Sequence, residues 1–239
     1  MKTERDLIYA FTEAVKLCDD YYHWLDETPL SLLNCFAMIK NIIITSTESL
    51  NYYWRTWLPL QIQAWGADTV LNDNRADFEF EYTQRQLIVL KTAVIFSLSI
   101  VEFIFSTAVK ETKNGPLHDW YTTIFLPRKK KRQHLTLSKI LIESLKRKII
   151  INTDYRSWQG IITLRNVLVH NNGIAHKSSV LRIGDLQIAL KKEAATKMTL
   201  RDISRITKTL IILTRNWLEK FLESHEIQSP DRLREIDLD

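Results

Sequence analysis

Glycine and proline are scarce in this chain, with five of each among 239 residues. A β-rich protein with many tight turns needs more of both, so helices are the expected framework. Cysteine is scarcer still. Cys18 and Cys35 stand alone, without the paired spacing or the histidine cluster that a zinc site uses, which points to a reducing compartment and no structural metal. His23, His118, His134, His176 and His225 have no ligand spacing either. A glycine-rich phosphate loop, an HExxH helix and a nucleophile elbow are all missing, so neither a metal nor a cofactor is expected. The first residues, MKTERDLIYAF, carry charges where a signal peptide needs an apolar core, and a cytoplasmic location is the natural expectation. Internal repeats and low-complexity segments are also lacking.

What is present is an ordinary globular balance of 45% hydrophobic and 26% charged residues, in a chain long enough to bury a core. The net charge of +5, from 33 Lys and Arg against 28 Asp and Glu, permits a polyanionic partner without demanding one. One segment, Thr92 to Val109 (TAVIFSLSIVEFIFSTAV), is apolar enough to be weighed as a membrane span. Thr92, Ser99, Glu102 and Ser106 are spaced by seven, three and four, which lines them up as a narrow polar stripe. That pattern suits the central helix of a bundle, buried on most sides with one stripe facing a polar site, so no membrane is expected.

Helical periodicity predicts a first helix over about Thr3 to Asp26, with apolar positions at Leu7, Phe11, Val15, Cys18, Tyr22 and Leu25. A second helix is expected to open with Thr28 as N-cap and Pro29 in the first turn, and to run to about Trp57. The turn-rich stretch Trp65 to Asp77 is the candidate boundary. A long helix follows over about Glu79 to Lys113 and stops at Asn114-Gly115-Pro116. Shorter helices are expected around Leu117 to Phe125 and Thr136 to Lys148, then one from Asp154 to His170 that ends at Asn171-Asn172-Gly173. The period then changes: residues 180–183 and 186–190 flank Gly184-Asp185, a two-residue hairpin signal. The last helix begins at Thr199, with Asp202 completing a capping-box pattern and an apolar stripe of Ile203, Ile206, Leu210, Leu213, Trp217 and Phe221. The expected organisation is a helical extension (residues 1–75), an all-α bundle with a short β-hairpin before the last helix (76–226), and a charged tail (227–239).

Near the end of the penultimate helix lies Arg165-Asn166-Val167-Leu168-Val169-His170. At about 100° per residue, Arg165, Asn166 and His170 fall within an arc of roughly 140°. Cleaving RNA without a metal requires removing the 2′-OH proton, stabilising charge on the phosphate and protonating the leaving oxygen. Imidazole titrates near working pH and serves the first and last of these tasks, while the guanidinium fork matches phosphate oxygens and never loses its charge. One Arg–His pair offers a single titrating group. Two copies across a two-fold axis offer a base, an acid and two guanidinium groups. The plain alternative is a packed Arg and a His that favours the helix dipole.

The R-N-x-x-x-H pattern at the end of a penultimate bundle helix resembles the signature of the HEPN superfamily (higher eukaryotes and prokaryotes nucleotide-binding domains). The resemblance implies an all-α bundle, a homodimer that pairs two motifs, and metal-independent endoribonuclease activity leaving 2′,3′-cyclic phosphate ends. It also implies a toxin or antiviral-defence (abortive infection) role, with an antitoxin or regulatory protein as possible partner. His170 would be the general acid/base, Arg165 the stabiliser of the transition state, and Asn166 the residue orienting His170 or the substrate. Family members often carry an acidic residue on an earlier core helix, and Glu102 is the match, with a buried structural carboxylate as its other reading. Toxins of this family that are controlled by nucleotidyltransferase antitoxins have a Tyr two residues past the His. Asn172 stands there in this chain, which counts against that control.

Arg128-Lys129-Lys130-Lys131-Arg132 is the densest charge in the chain, suited either to gripping RNA phosphates or to a solvated loop. The aromatic clusters Tyr21-Tyr22-His23-Trp24 and Tyr52-Tyr53-Trp54-Arg55-Thr56-Trp57 suit base stacking or, more commonly, core and interface packing. Two other functions stay open: an RNA- or nucleotide-binding helical module without catalysis, and a structural or signalling helical protein.

Overall fold

A computed structural model of the chain describes residues 4–24, 30–52, 75–128, 134–171 and 173–224, with 59, 60 and 63 besides. Helices dominate: α1 (Glu4–Trp24), α2 (Leu30–Tyr52), the long α3 (Arg75–Glu111), α4 (Pro116–Trp120), α5 (Leu137–Lys146), α6 (Asn152–His170) and α7 (Leu200–Ser224). α4 runs on through a π-helical turn, Tyr121–Phe125, into a last turn at Leu126–Arg128. Between α6 and α7 stand β1 (Ser179–Ile183) and β2 (Leu186–Leu190). The protein is thus mostly helical with a small antiparallel sheet near its C-terminus. The N-cap expected at Thr28 and most of the boundary expected at 65–77 lie outside the described residues, although 75–77 already belong to α3.

α2 packs against α1 and α3, while α1 and α3 both lie against α7. α6 is held between α3, α5, α7 and β1. Phe11, Cys18, Cys35, Phe36 and Ile43 of α1 and α2 join the same apolar core as the later helices. Its centre is aromatic: Phe105 stacks on Trp217 with ring centroids 3.7 Å apart, Trp217 stacks on Phe221, and Trp158 meets Phe105 edge-on at 5.7 Å. The buried indole N–H of Trp217 donates to the Ser144 hydroxyl at 2.9 Å, so this cluster also ties in α5.

The last helix forms as its pattern requires. All six stripe positions from Ile203 to Phe221 are buried. The Thr199 N–H donates to the Asp202 carboxylate at 2.8 Å and the Asp202 N–H donates to the Thr199 hydroxyl at 3.2 Å, the reciprocal capping box. In the hairpin, Ser179 pairs with Leu190 and Ile183 with Leu186 around Gly184-Asp185, with Gly184 at φ +59°. Leu181, Ile183, Leu186, Ile188 and Leu190 point inward, while Val180, Arg182, Gln187 and Ala189 point out. The Gly184 N–H donates to the Ser157 hydroxyl at 3.1 Å, and Asp185 is ion-paired with Arg205, fixing the turn to α6 and α7.

The segment Lys91–Glu111 is long and apolar enough to cross a membrane, yet 56% of its most apolar stretch is buried inside the protein, as in a core helix. Two hydroxyls of the polar stripe on it are satisfied by its own backbone. The Thr92 and Ser99 hydroxyls donate to carbonyls of their own helix, at Ile88 and Ile95, and Phe96 and Phe103 are exposed beside them. Helical spacing aligns polar residues on one face, but their hydroxyls find a partner one turn back without any neighbour.

Candidate functional site: the C-terminal end of α6

α6 buries Trp158, Ile161, Leu164, Val167 and Leu168 and turns its other face outward. Asp154 sits in its first turn, where a carboxylate complements the helix dipole. Burial nonetheless holds the Asp154 carboxyl above its usual range. The helix ends at His170. The N–H groups of Asn171 and Gly173 both reach the Val167 carbonyl, at 3.3 and 3.0 Å, and Gly173 makes the reversal at φ +83°. Buried Thr196 clamps that turn, since its N–H and its hydroxyl each donate to the Gly173 carbonyl at 2.8 Å.

Arg165 lies two turns past Trp158, and so on the flank of α6 that faces α3. A side chain at Gly173 would come within 3.8 Å of the Lys91 ammonium, so α3 and α6 run antiparallel with Arg165 over the stretch between Lys91 and Phe105. Arg165 is half-buried, whereas Asn166 and His170 are exposed. The Arg165 guanidinium donates to the Asn166 side-chain carbonyl at 3.3 Å. Asn166 is thereby tied to Arg165, its own neighbour, and no hydrogen bond joins it to His170 among the described residues. The His170 ring makes no hydrogen bond among the described residues. Asn166 and His170 present an amide and an imidazole to solvent, with the half-buried guanidinium of Arg165 beside the amide.

Glu102 is engaged elsewhere. Its carboxylate accepts the Leu137 N–H at 3.1 Å and so caps α5, a task that the hydroxyl of Thr136, the residue at the N-cap position, does not perform. Arg128 is exposed at the end of its helical turn, and Lys129, Lys130, Lys131 and Arg132 lie outside the described residues. Tyr21 belongs to the packing: it meets Phe36 edge-on at 5.3 Å and lies under the Arg215 guanidinium at 5.0 Å. Tyr52 is exposed and 53–57 are outside the described residues.

Two groups near the motif were not singled out by sequence reasoning. The His176 Nε2 is 2.9 Å from the Asn171 side-chain carbonyl, which brings a second imidazole to the turn that follows His170. Lys91 is half-buried beside Gly173, and burial pushes its ammonium below its ordinary value. Neither has a sequence signal, because one depends on the chain reversal at Gly173 and the other on α3 crossing α6. Among the described residues no three His, Cys, Asp or Glu side chains converge as metal ligands. Compared with protein families, curated proteins and solved structures, the chain matches none.

Proposed function

We propose that the chain is a metal-independent endoribonuclease of HEPN type, acting as a homodimer in the cytoplasm as a toxin or antiviral-defence effector. One observation carries the reading: Asn166 and His170 are exposed at the capped end of α6, and the half-buried Arg165 beside them is tied to Asn166. In this mechanism His170 of one copy takes the 2′-OH proton and His170 of the other gives a proton to the 5′-oxygen that leaves. The 2′-oxygen attacks the phosphorus, the P–O5′ bond breaks, and the product carries a 2′,3′-cyclic phosphate. Arg165 from each copy binds the non-bridging oxygens and stabilises the charge that builds on them. Asn166 keeps the guanidinium turned toward that position. An antitoxin or other regulatory protein would act by covering this surface or by keeping two copies apart.

An RNA-binding module that does not cut is the second reading, favoured by the commitment of Glu102 to α5. Expression in cells separates the two. Growth arrest by wild type and none by His170→Ala, with the variant melting at the wild-type temperature, is the expected result. Arrest by both, or by neither, would contradict the nuclease reading.

A further inference from the structure

Arg156, Gln159, Thr163, Asn166 and His170 recur at intervals of three and four, so all five lie along one outward face of α6. The first three border an open groove of about 370 Å³ between α6 and β1, whose other wall is Val180, Leu181 and Arg182. The groove exists because Gly160 lets the two elements approach until a Cβ there would fall 2.4 Å from the Arg182 carbonyl oxygen. Both Arg156 and Arg182 are exposed, and neither is ion-paired among the described residues. Among the described residues no acidic side chain lines the groove, and the nearby hairpin carboxylate, Asp185, is already held by Arg205. From Arg156 to His170 the face rises about 21 Å, at 1.5 Å per residue.

We propose that this groove holds the sugar–phosphate backbone of single-stranded RNA and leads it to His170. Two guanidinium forks on opposite walls suit successive phosphates, and the Gln159 amide and Thr163 hydroxyl suit ribose hydroxyls and phosphate oxygens. Among the described residues the lining has no aromatic side chain, so bases find no stacking platform there and binding is indifferent to sequence. The choice of RNA as the polyanion rests on the nuclease reading. The groove itself rests on its lining alone.

The test is fluorescence anisotropy of labelled single-stranded RNA against the full chain bearing His170→Ala, over a range of salt. Adding Arg156→Ala and Arg182→Ala is expected to weaken binding about tenfold at low salt and to flatten the log–log salt dependence by about 1.4, two contacts at ~0.7 each. A control pair of exposed cations outside the groove that are likewise not ion-paired among the described residues, Lys16→Ala with Lys110→Ala, is expected to change both far less. Equal losses from the two pairs, no loss from the groove pair, or displacement of RNA by polyaspartate as readily as by unlabelled RNA would overturn the proposal. In a chain that retains His170, the groove pair should raise KM and leave kcat unchanged. Groove-dependent binding by a wild-type protein that never cuts would sink the nuclease reading and leave the groove standing. Cutting with an unchanged KM in the groove pair would sink the groove alone.

Discussion

Replacing Gly160 with alanine tests how α6 is fitted to the hairpin. Glycine inside a helix is costly by about 1 kcal/mol relative to alanine, so on helix propensity alone Gly160→Ala should stabilise. Position 160 has no room for the methyl group. The added Cβ would sit 2.4 Å from the Arg182 carbonyl oxygen and 2.9 Å from the Ile183 Cγ1. The isoleucine carbon can rotate away, but the carbonyl oxygen is part of the β1 backbone, in a strand paired to β2 from Ser179 to Ile183. Relief requires the two elements to separate by at least ~0.6 Å, which also strains the Gly184 to Ser157 hydrogen bond. Overpacking of this kind costs up to ~3 kcal/mol, and subtracting the propensity gain leaves a net loss of about 2 kcal/mol. For a chain of this size that is a fall in Tm of roughly 4–8 °C. Thermal unfolding followed by circular dichroism reads it directly. An unchanged or higher Tm in Gly160→Ala would refute the argument that backbone proximity fixes this glycine.

Glu102→Ala should destabilise by about 1–2 kcal/mol through the lost cap on α5, and Glu102→Gln by less, since an amide oxygen still accepts the Leu137 N–H. Loss of RNA cleavage in Glu102→Gln at unchanged stability would instead assign the carboxylate a chemical role. Burial pushes the Cys18 thiol up to about 12 and raises Cys35 as well, so a thiol reagent added to the native protein near neutral pH should label neither at a useful rate. Rapid labelling without denaturant would contradict the packing of α1 on α2. The Asp154 carboxyl, raised by burial, binds its proton more tightly folded than unfolded, so its contribution to stability is intact below the ordinary carboxylate range and is lost as pH rises through the raised value. Asp154→Asn should therefore match wild type in urea unfolding at about pH 3 and exceed it at about pH 7, whereas an offset independent of pH would be the wrong outcome.

The elements whose packing is local were legible in the sequence. The stripe from Ile203 to Phe221 is buried as spaced, the Thr199–Asp202 box closes, and Gly184-Asp185 turns the hairpin. Legibility fails where a side chain answers to a distant element. Thr92, Ser99 and Glu102 share a face by spacing, but spacing does not say what covers that face, and Glu102 meets a backbone N–H 35 residues away. The motif at 165–170 could be read because its residues are neighbours on one helix. The groove beside it could not, because Arg182 comes to stand across from Arg156 only through the close approach of the two elements at Gly160. His176 comes to the end of α6 only once Gly173 reverses the chain.

The central claim is that Arg165 and His170 cut RNA. The direct measurement is incubation of purified full-length protein with RNA in EDTA, with product ends analysed for the 2′,3′-cyclic phosphate. Cleavage by wild type, lost in both Arg165→Ala and His170→Ala while each variant keeps the wild-type melting temperature, is the predicted result. Intact RNA with wild type, or undiminished cleavage by either variant, would contradict it.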